Sequence, residues 1–107
     1  MKITDIFTTA IEKKASDIFI IAGRPLSYKI MGEIVTADNT PLTAEETYLL
    51  IHDIFKIANK ENIDDLHNKG DVDFSFSLPK TGRFRVSAYM QRNSYAAVIR
   101  VVFFDLP

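Results

Sequence analysis

At 107 residues, with 47% apolar and 25% charged residues, the chain has the length of one compact domain and the composition of an ordinary globular protein. The absence of cysteine excludes disulfides and thiolate metal sites, and no run of about 18 apolar residues offers a membrane span. A net charge of -1 conceals a split: residues 1–73 carry 13 acids and 8 bases, whereas residues 74–104 carry five bases and no acid, an asymmetry that suits an anionic partner or cross-strand pairing within the domain.

In chain order, Ile3, Ile6, Phe7, Ala10 and Ile11 recur at helical spacing and predict an amphipathic helix from about Thr4 to Lys14. The start has neither the basic residues nor the apolar stretch of a signal peptide, so the expected location is cytoplasmic. "SDIFIIA", Ser16 to Ala22, is β-branched, aromatic and apolar on both parities, which predicts a central strand. Gly23-Arg24-Pro25 breaks that pattern and "LSYKIM" resumes it. Met31-Gly32-Glu33 then predicts a tight turn into "EIVTA".

Thr43 with Glu46 three residues on is a capping box, and Leu49, Leu50, Ile54, Phe55 and Ile57 supply the apolar stripe of the helix it opens. A short helix is expected over Lys60 to Asn68, with Asn59 as N-cap and Gly70 as its stop. Asp71 to Leu78 alternates strictly, with Val72, Phe74, Phe76 and Leu78 on one face and Asp71, Asp73, Ser75 and Ser77 on the other. After a turn at Pro79 to Gly82, Phe84, Val86, Ala88 and Met90 face away from Arg83, Arg85, Ser87, Tyr89 and Gln91. A last strand, Tyr95 to Phe104, is apolar on both faces except at Arg100. The elements predict one α+β domain over residues 1–107: a helix, three strands, two helices and a three-stranded meander.

The arginines of "GRFRVSAYMQR" carry the functional question. With a two-residue loop at Asn93-Ser94, Ser87 lies opposite Arg100 and Arg85 opposite Val102, so Arg83, Arg85 and Arg100 share one face. A loop one residue longer would turn Arg100 to the other face. Pairing of these arginines with Asp71 and Asp73 across the sheet is the plainer alternative, worth about 0–1 kcal/mol per exposed pair. Arg100, inside "AAVIRVVFF", needs a partner or a cavity, because burying it bare would cost several kcal/mol. The planar guanidinium fork suits phosphate, so a phosphate-bearing ligand is expected. Nucleic acid is disfavoured: "RFRVSAY" lacks the glycines of the RNA-binding strand it superficially matches, and the sequence pI is about 6.1. No phosphate-binding loop, nucleophile-base pair or metal cluster is present, and His52 and His67 read as core, surface or capping residues. Nothing in the chain reads as catalytic.

The ordered set "ASDIFI", "GRPLSYKIMGEIV", "PLTAEETYLLIHDI", "GDVDFSFSLP", "GRFRVSAYMQR" and "AAVIRVV" resembles, over essentially the whole chain, the N-terminal domain of pilus-retraction ATPases of the PilT type, within the secretion and pilus motor ATPases. The resemblance implies a PAS-like α+β domain, a mostly antiparallel sheet with helices packed on one face, ahead of a RecA-like ATPase domain that this chain does not contain. It implies a homohexamer that uses ATP and Mg²⁺ bound mainly by the ATPase domain, with neither expected on this domain alone. By the same resemblance Arg85 and Arg100, then Arg83, reach the nucleotide phosphate, and Arg92 at the hairpin tip sits at an interface. Phe19 stands where the family's "ASDxH" pattern has His, and no role is carried onto it.

The first helix follows Met1 directly, without the leading domain of extension and secretion ATPases, which points to retraction. The implied partners are the protein's own ATPase domain, neighbouring subunits and the inner-membrane platform protein of the pilus, with no nucleic acid and no insertion into the membrane. The implied location is the cytoplasmic face of the inner membrane. The alternatives are the same domain of a pilus-assembly or type II secretion ATPase, a stand-alone PAS-like sensor, or a purely structural domain whose arginines meet a neighbour's carboxylates.

Overall fold

The computed structural model describes residues 2–59 and 62–102. The elements in chain order are α1 (Ile3–Glu12), β1 (Asp17–Ile20), β2 (Ser27–Ile30), β3 (Glu33–Thr36), α2 (Ala44–Ile57), α3 (Asp64–Lys69), β4 (Asp71–Leu78), β5 (Gly82–Gln91) and β6 (Ser94–Val102). The six strands form one antiparallel sheet in the order β3-β2-β1-β6-β5-β4. The expected α+β architecture is therefore present. Two hairpin systems, one from each half of the chain, meet at β1 and β6, so the first and last strands are central neighbours.

The helices lie on one face because every strand except β3 sends its apolar parity there. Phe7 of α1 is fully buried, with its ring 4.4 Å from that of Phe84 on β5 and 5.6 Å from that of Phe76 on β4. Phe55 of α2 meets Phe74 edge-on at 5.1 Å, and Tyr48 meets Tyr95 at 5.1 Å. Ile18, Ile20, Ile51, Ile54, Leu66, Val86 and Ile99 complete the core. By contrast β3 is exposed along its whole length.

Local rules set most boundaries. The Thr43 hydroxyl accepts from the Glu46 amide at 3.1 Å, and the Thr43 amide donates to the Glu46 carboxylate at 2.9 Å, closing the expected capping box. Thr43→Ala should cost about 1 kcal/mol, read as a lower urea midpoint at unchanged slope. Gly70 ends α3 at φ 89, a left-handed conformation that glycine adopts without a Cβ penalty. Met31 and Gly32, at φ 52 and 81, make the tight turn between β2 and β3.

Four details differ from the sequence reading. α1 stops at Glu12, because Lys13 leaves the helix and Lys14 turns left-handed at φ 57. In α2 the buried stripe is Thr47, Leu50, Ile51, Ile54 and Phe55, which leaves Leu49 52% exposed. Asn59 does not open the next helix; at φ 59 it follows the end of α2, and Asn62 Oδ1 accepts from the Asp64 amide at 2.9 Å instead. α3 begins at Asp64, and the expected start at Lys60 lies outside the described residues, as do Phe103 and Phe104 of the last strand.

Tyr28 on β2 is buried, and burial raises its phenol above the ordinary value, opposed by a hydrogen bond with Thr9. The folded state thus keeps a proton that the unfolded chain loses near pH 10. Its contribution to stability is fully present below about pH 10 and is lost as pH rises through the higher folded value. Urea midpoints should be flat from about pH 8 to 9.5 and fall above that, with a shallower fall in Tyr28→Phe.

Candidate functional site

The face of the sheet opposite the helices carries the arginines. The β5-β6 hairpin turns at Arg92-Asn93, with φ 49 and 65, and closes on Gln91 opposite Ser94. This loop begins one residue earlier than expected, and the correction moves the register by two positions. A two-residue shift preserves parity, so Arg83, Arg85 and Arg100 do share one face. It changes their neighbours, however: Arg85 lies directly opposite Arg100, and Arg83 opposite Val102.

Across five strands this gives a row of Lys29, Asp17, Arg100, Arg85 and Ser75. Two guanidiniums in direct cross-strand opposition repel, and their Cβ atoms lie about 5 Å apart in such a pair. Asp17 offsets part of that repulsion. Its Oδ1 is 3.9 Å from Arg100 Nε, and its Oδ2 accepts from the Ser16 hydroxyl at 2.8 Å. The Arg85 side chain has no hydrogen bond or ion pair with the described residues. Arg83 donates from Nη2 to Ser75 Oγ at 3.2 Å.

The anticipated pairing with Asp71 and Asp73 is not what β4 provides. Asp71 lies opposite Tyr89, while Asp73 lies opposite Ser87 and accepts its hydroxyl at 2.7 Å. The acid beside Arg100 is instead Asp17, from the apolar strand "SDIFIIA". The missed signal was a carboxylate in a strand expected to be central, since such a group needs a partner.

A depression of about 510 Å³, open to solvent, runs over this row, bordered by Asp17, Asp73, Ser75, Arg85, Ser87 and Arg100. Val98 also contributes to its lining, and its two guanidiniums are adjacent, so it can clasp an anion by charge-assisted hydrogen bonds. Among the described residues no group of three His, Cys, Asp or Glu side chains can hold a metal ion. Arg92 is not brought to the depression; it lies in the turn just past the end of β5, seven residues from Arg85, about 23 Å at strand rise.

The fold is a small α+β domain of the kind seen in a solved pilus retraction ATPase. The chain is homologous to the N-terminal portion of the type IV pilus ATPases PilU and PilT. It is 33% identical over all 107 residues to PilU of Pseudomonas aeruginosa, of which it covers 27%. To PilT of the same organism it is 29% identical over 102 residues, covering 95% of this chain and 29% of the relative.

Its structure matches that of the pilus retraction motor PilT with bound ADP at a TM-score of 0.82 and 36% identity, over all of this chain and 31% of that one. The Legionella pneumophila ATPase DotB shares the fold, with a TM-score of 0.73 and 23% identity over all of this chain and 31% of its own. The chain therefore spans less than a third of the length of these relatives. No family model matches it. No helix among the described residues is long and apolar enough to cross a membrane.

Proposed function

We propose that residues 1–107 form the N-terminal regulatory and assembly domain of a type IV pilus retraction ATPase, acting with a RecA-like ATPase domain outside this chain. The observation that carries the proposal is the pairing of Arg85 with Arg100 on an uncovered sheet face, in a chain homologous to pilus ATPases. Arg85 is available because it has no partner among the described residues. Arg100 keeps its donors available, since its Nε lies 3.9 Å from Asp17 Oδ1, too far for a hydrogen bond.

In this reading Arg85 and Arg100, with Arg83 beside them, contact the phosphate of a nucleotide held by the ATPase domain. The paired positive charge fits a phosphate and reduces repulsion between the two arginines when it is engaged. The nucleotide supplies the hydrolysable bond. What these side chains supply is orientation and stabilisation of charge on the transferring phosphoryl group. Mg²⁺ does not fit this face by itself, for want of a carboxylate cluster, and its ligands are assigned to the ATPase domain. The domain is assigned to a homohexamer at the cytoplasmic face of the inner membrane, working against the pilus platform protein. Coupling follows from the position of the arginines: gaining or losing the phosphate contact changes how firmly this domain is held against its neighbour.

The test is steady-state ATP hydrolysis by the full-length motor carrying Arg85→Ala or Arg100→Ala. Loss of turnover with a folded domain supports the assignment, and wild-type turnover in both variants overturns it.

A further inference from the structure

The arginine row is asymmetric. Arg100 is long and its side chain is 70% exposed, so nothing in the packing holds its guanidinium in one place. Arg85, directly opposite, pushes it away. Asp17 differs in every respect: its side chain is only 14% exposed, it starts a central strand paired on both sides, and the Ser16 hydroxyl fixes its Oδ2. Ser16 is in turn anchored by its backbone, donating to Lys29 O at 2.8 Å and accepting from the Val101 amide at 2.9 Å. The carboxylate is thus a largely buried negative point beside an exposed cation.

We propose that Asp17 is the positioning residue for Arg100. Its Oδ1 draws Nε inward and so turns the two Nη groups outward over the depression, beside Arg85, in the orientation that bidentate phosphate contact requires. The contact at 3.9 Å is an ion pair too long for a hydrogen bond, so it orients the guanidinium without consuming its donors. Lys29, on the far side of Asp17, forms no ion pair with it among the described residues, which leaves the carboxylate to Arg100. Asp17 does not touch the ligand. The inference rests on the reading of Arg85 and Arg100 as phosphate contacts.

The test is a double-mutant cycle on ATP turnover by the full-length motor, using Asp17→Asn and Arg100→Ala. Asp17→Asn keeps the shape and removes the charge. Alone, it should lower kcat about two- to fivefold, the orienting weight of an exposed ion pair. Added to Arg100→Ala, it should lower kcat no further, because there is no longer a guanidinium to place. A purely structural role for Asp17 would give the same loss in both backgrounds, and that result overturns the inference.

Unchanged or raised turnover in Asp17→Asn overturns it too, the latter by showing that the carboxylate withholds Arg100 from its ligand. If Asp17→Asn fails to fold, Ser16→Ala decides: a severalfold loss confined to the Arg100 background supports positioning, and no loss overturns it. Wild-type turnover in Arg100→Ala itself would instead remove the functional assignment beneath the inference.

Discussion

Arg85→Ala in the full-length motor should lower ATP turnover by about a thousandfold, the scale of losing an arginine that stabilises a phosphoryl-transfer transition state. The expectation follows from its position: exposed, directly opposite a second arginine, and with a side chain free of any hydrogen bond or ion pair with the described residues. Nothing in the fold depends on its charge, so the domain should melt within about 0.5 kcal/mol of wild type, as for other surface substitutions. Arg85→Lys should rescue only part of the activity, since an ammonium cannot make the bidentate contact of the planar fork. Lys56→Ala, on the helix side of the sheet, should leave turnover unchanged. A variant series in which Arg85→Ala and Lys56→Ala behave alike would remove the arginine from the nucleotide contact.

Phe7→Ala should have the largest effect on stability, about 3–5 kcal/mol. Phe7 is fully buried and is the one ring of α1 that stacks on the sheet, at 4.4 Å and 28° to Phe84 and at 5.6 Å to Phe76. Truncation removes the transfer free energy of a phenyl group and leaves a cavity lined by two aromatic rings that strands β4 and β5 hold in place. That loss is a large share of the 5–15 kcal/mol typical of such a domain, and the melting midpoint should fall by more than about 12 °C. Phe7→Leu, which keeps most of the volume, should cost much less. Urea denaturation followed by circular dichroism measures both, and a loss under about 1 kcal/mol in Phe7→Ala would mean that α1 contributes little to the core. Because Phe7 and Phe84 share one contact, the double Ala variant should lose less than the sum of the two singles.

Much of this was legible along the chain because the forces that set it act over a few residues. The alternation in "DVDFSFSL" specified β4 and its buried face, Thr43 with Glu46 specified the start of α2, and Gly70 specified the end of α3. The expected stripe of α2 includes the buried Leu50, Ile54 and Phe55, but Leu49 is exposed while Thr47 and Ile51 are buried, because helical period alone does not choose among the adjacent apolar residues of "YLLI".

The placement of the arginines on one face was also local. It depends only on parity, which is the same whether the hairpin turns at Asn93-Ser94 or at Arg92-Asn93. That Arg85 meets Arg100 head-on was not local in the same sense, since the turn at Arg92-Asn93 rests on two non-glycine residues held at positive φ. The partnership of Asp17 with Arg100 lies further still from anything the sequence displays. Those residues stand 83 positions apart, and only the closing of the sheet between its first and last strands brings a carboxylate from "SDIFIIA" beside the guanidinium in "AAVIRVV". Short-range sterics, capping and strand alternation determined the elements and the charged face. Which charges touch was decided by strand order, because side chains on different hairpins become neighbours only when the buried apolar surface of both is joined into one sheet.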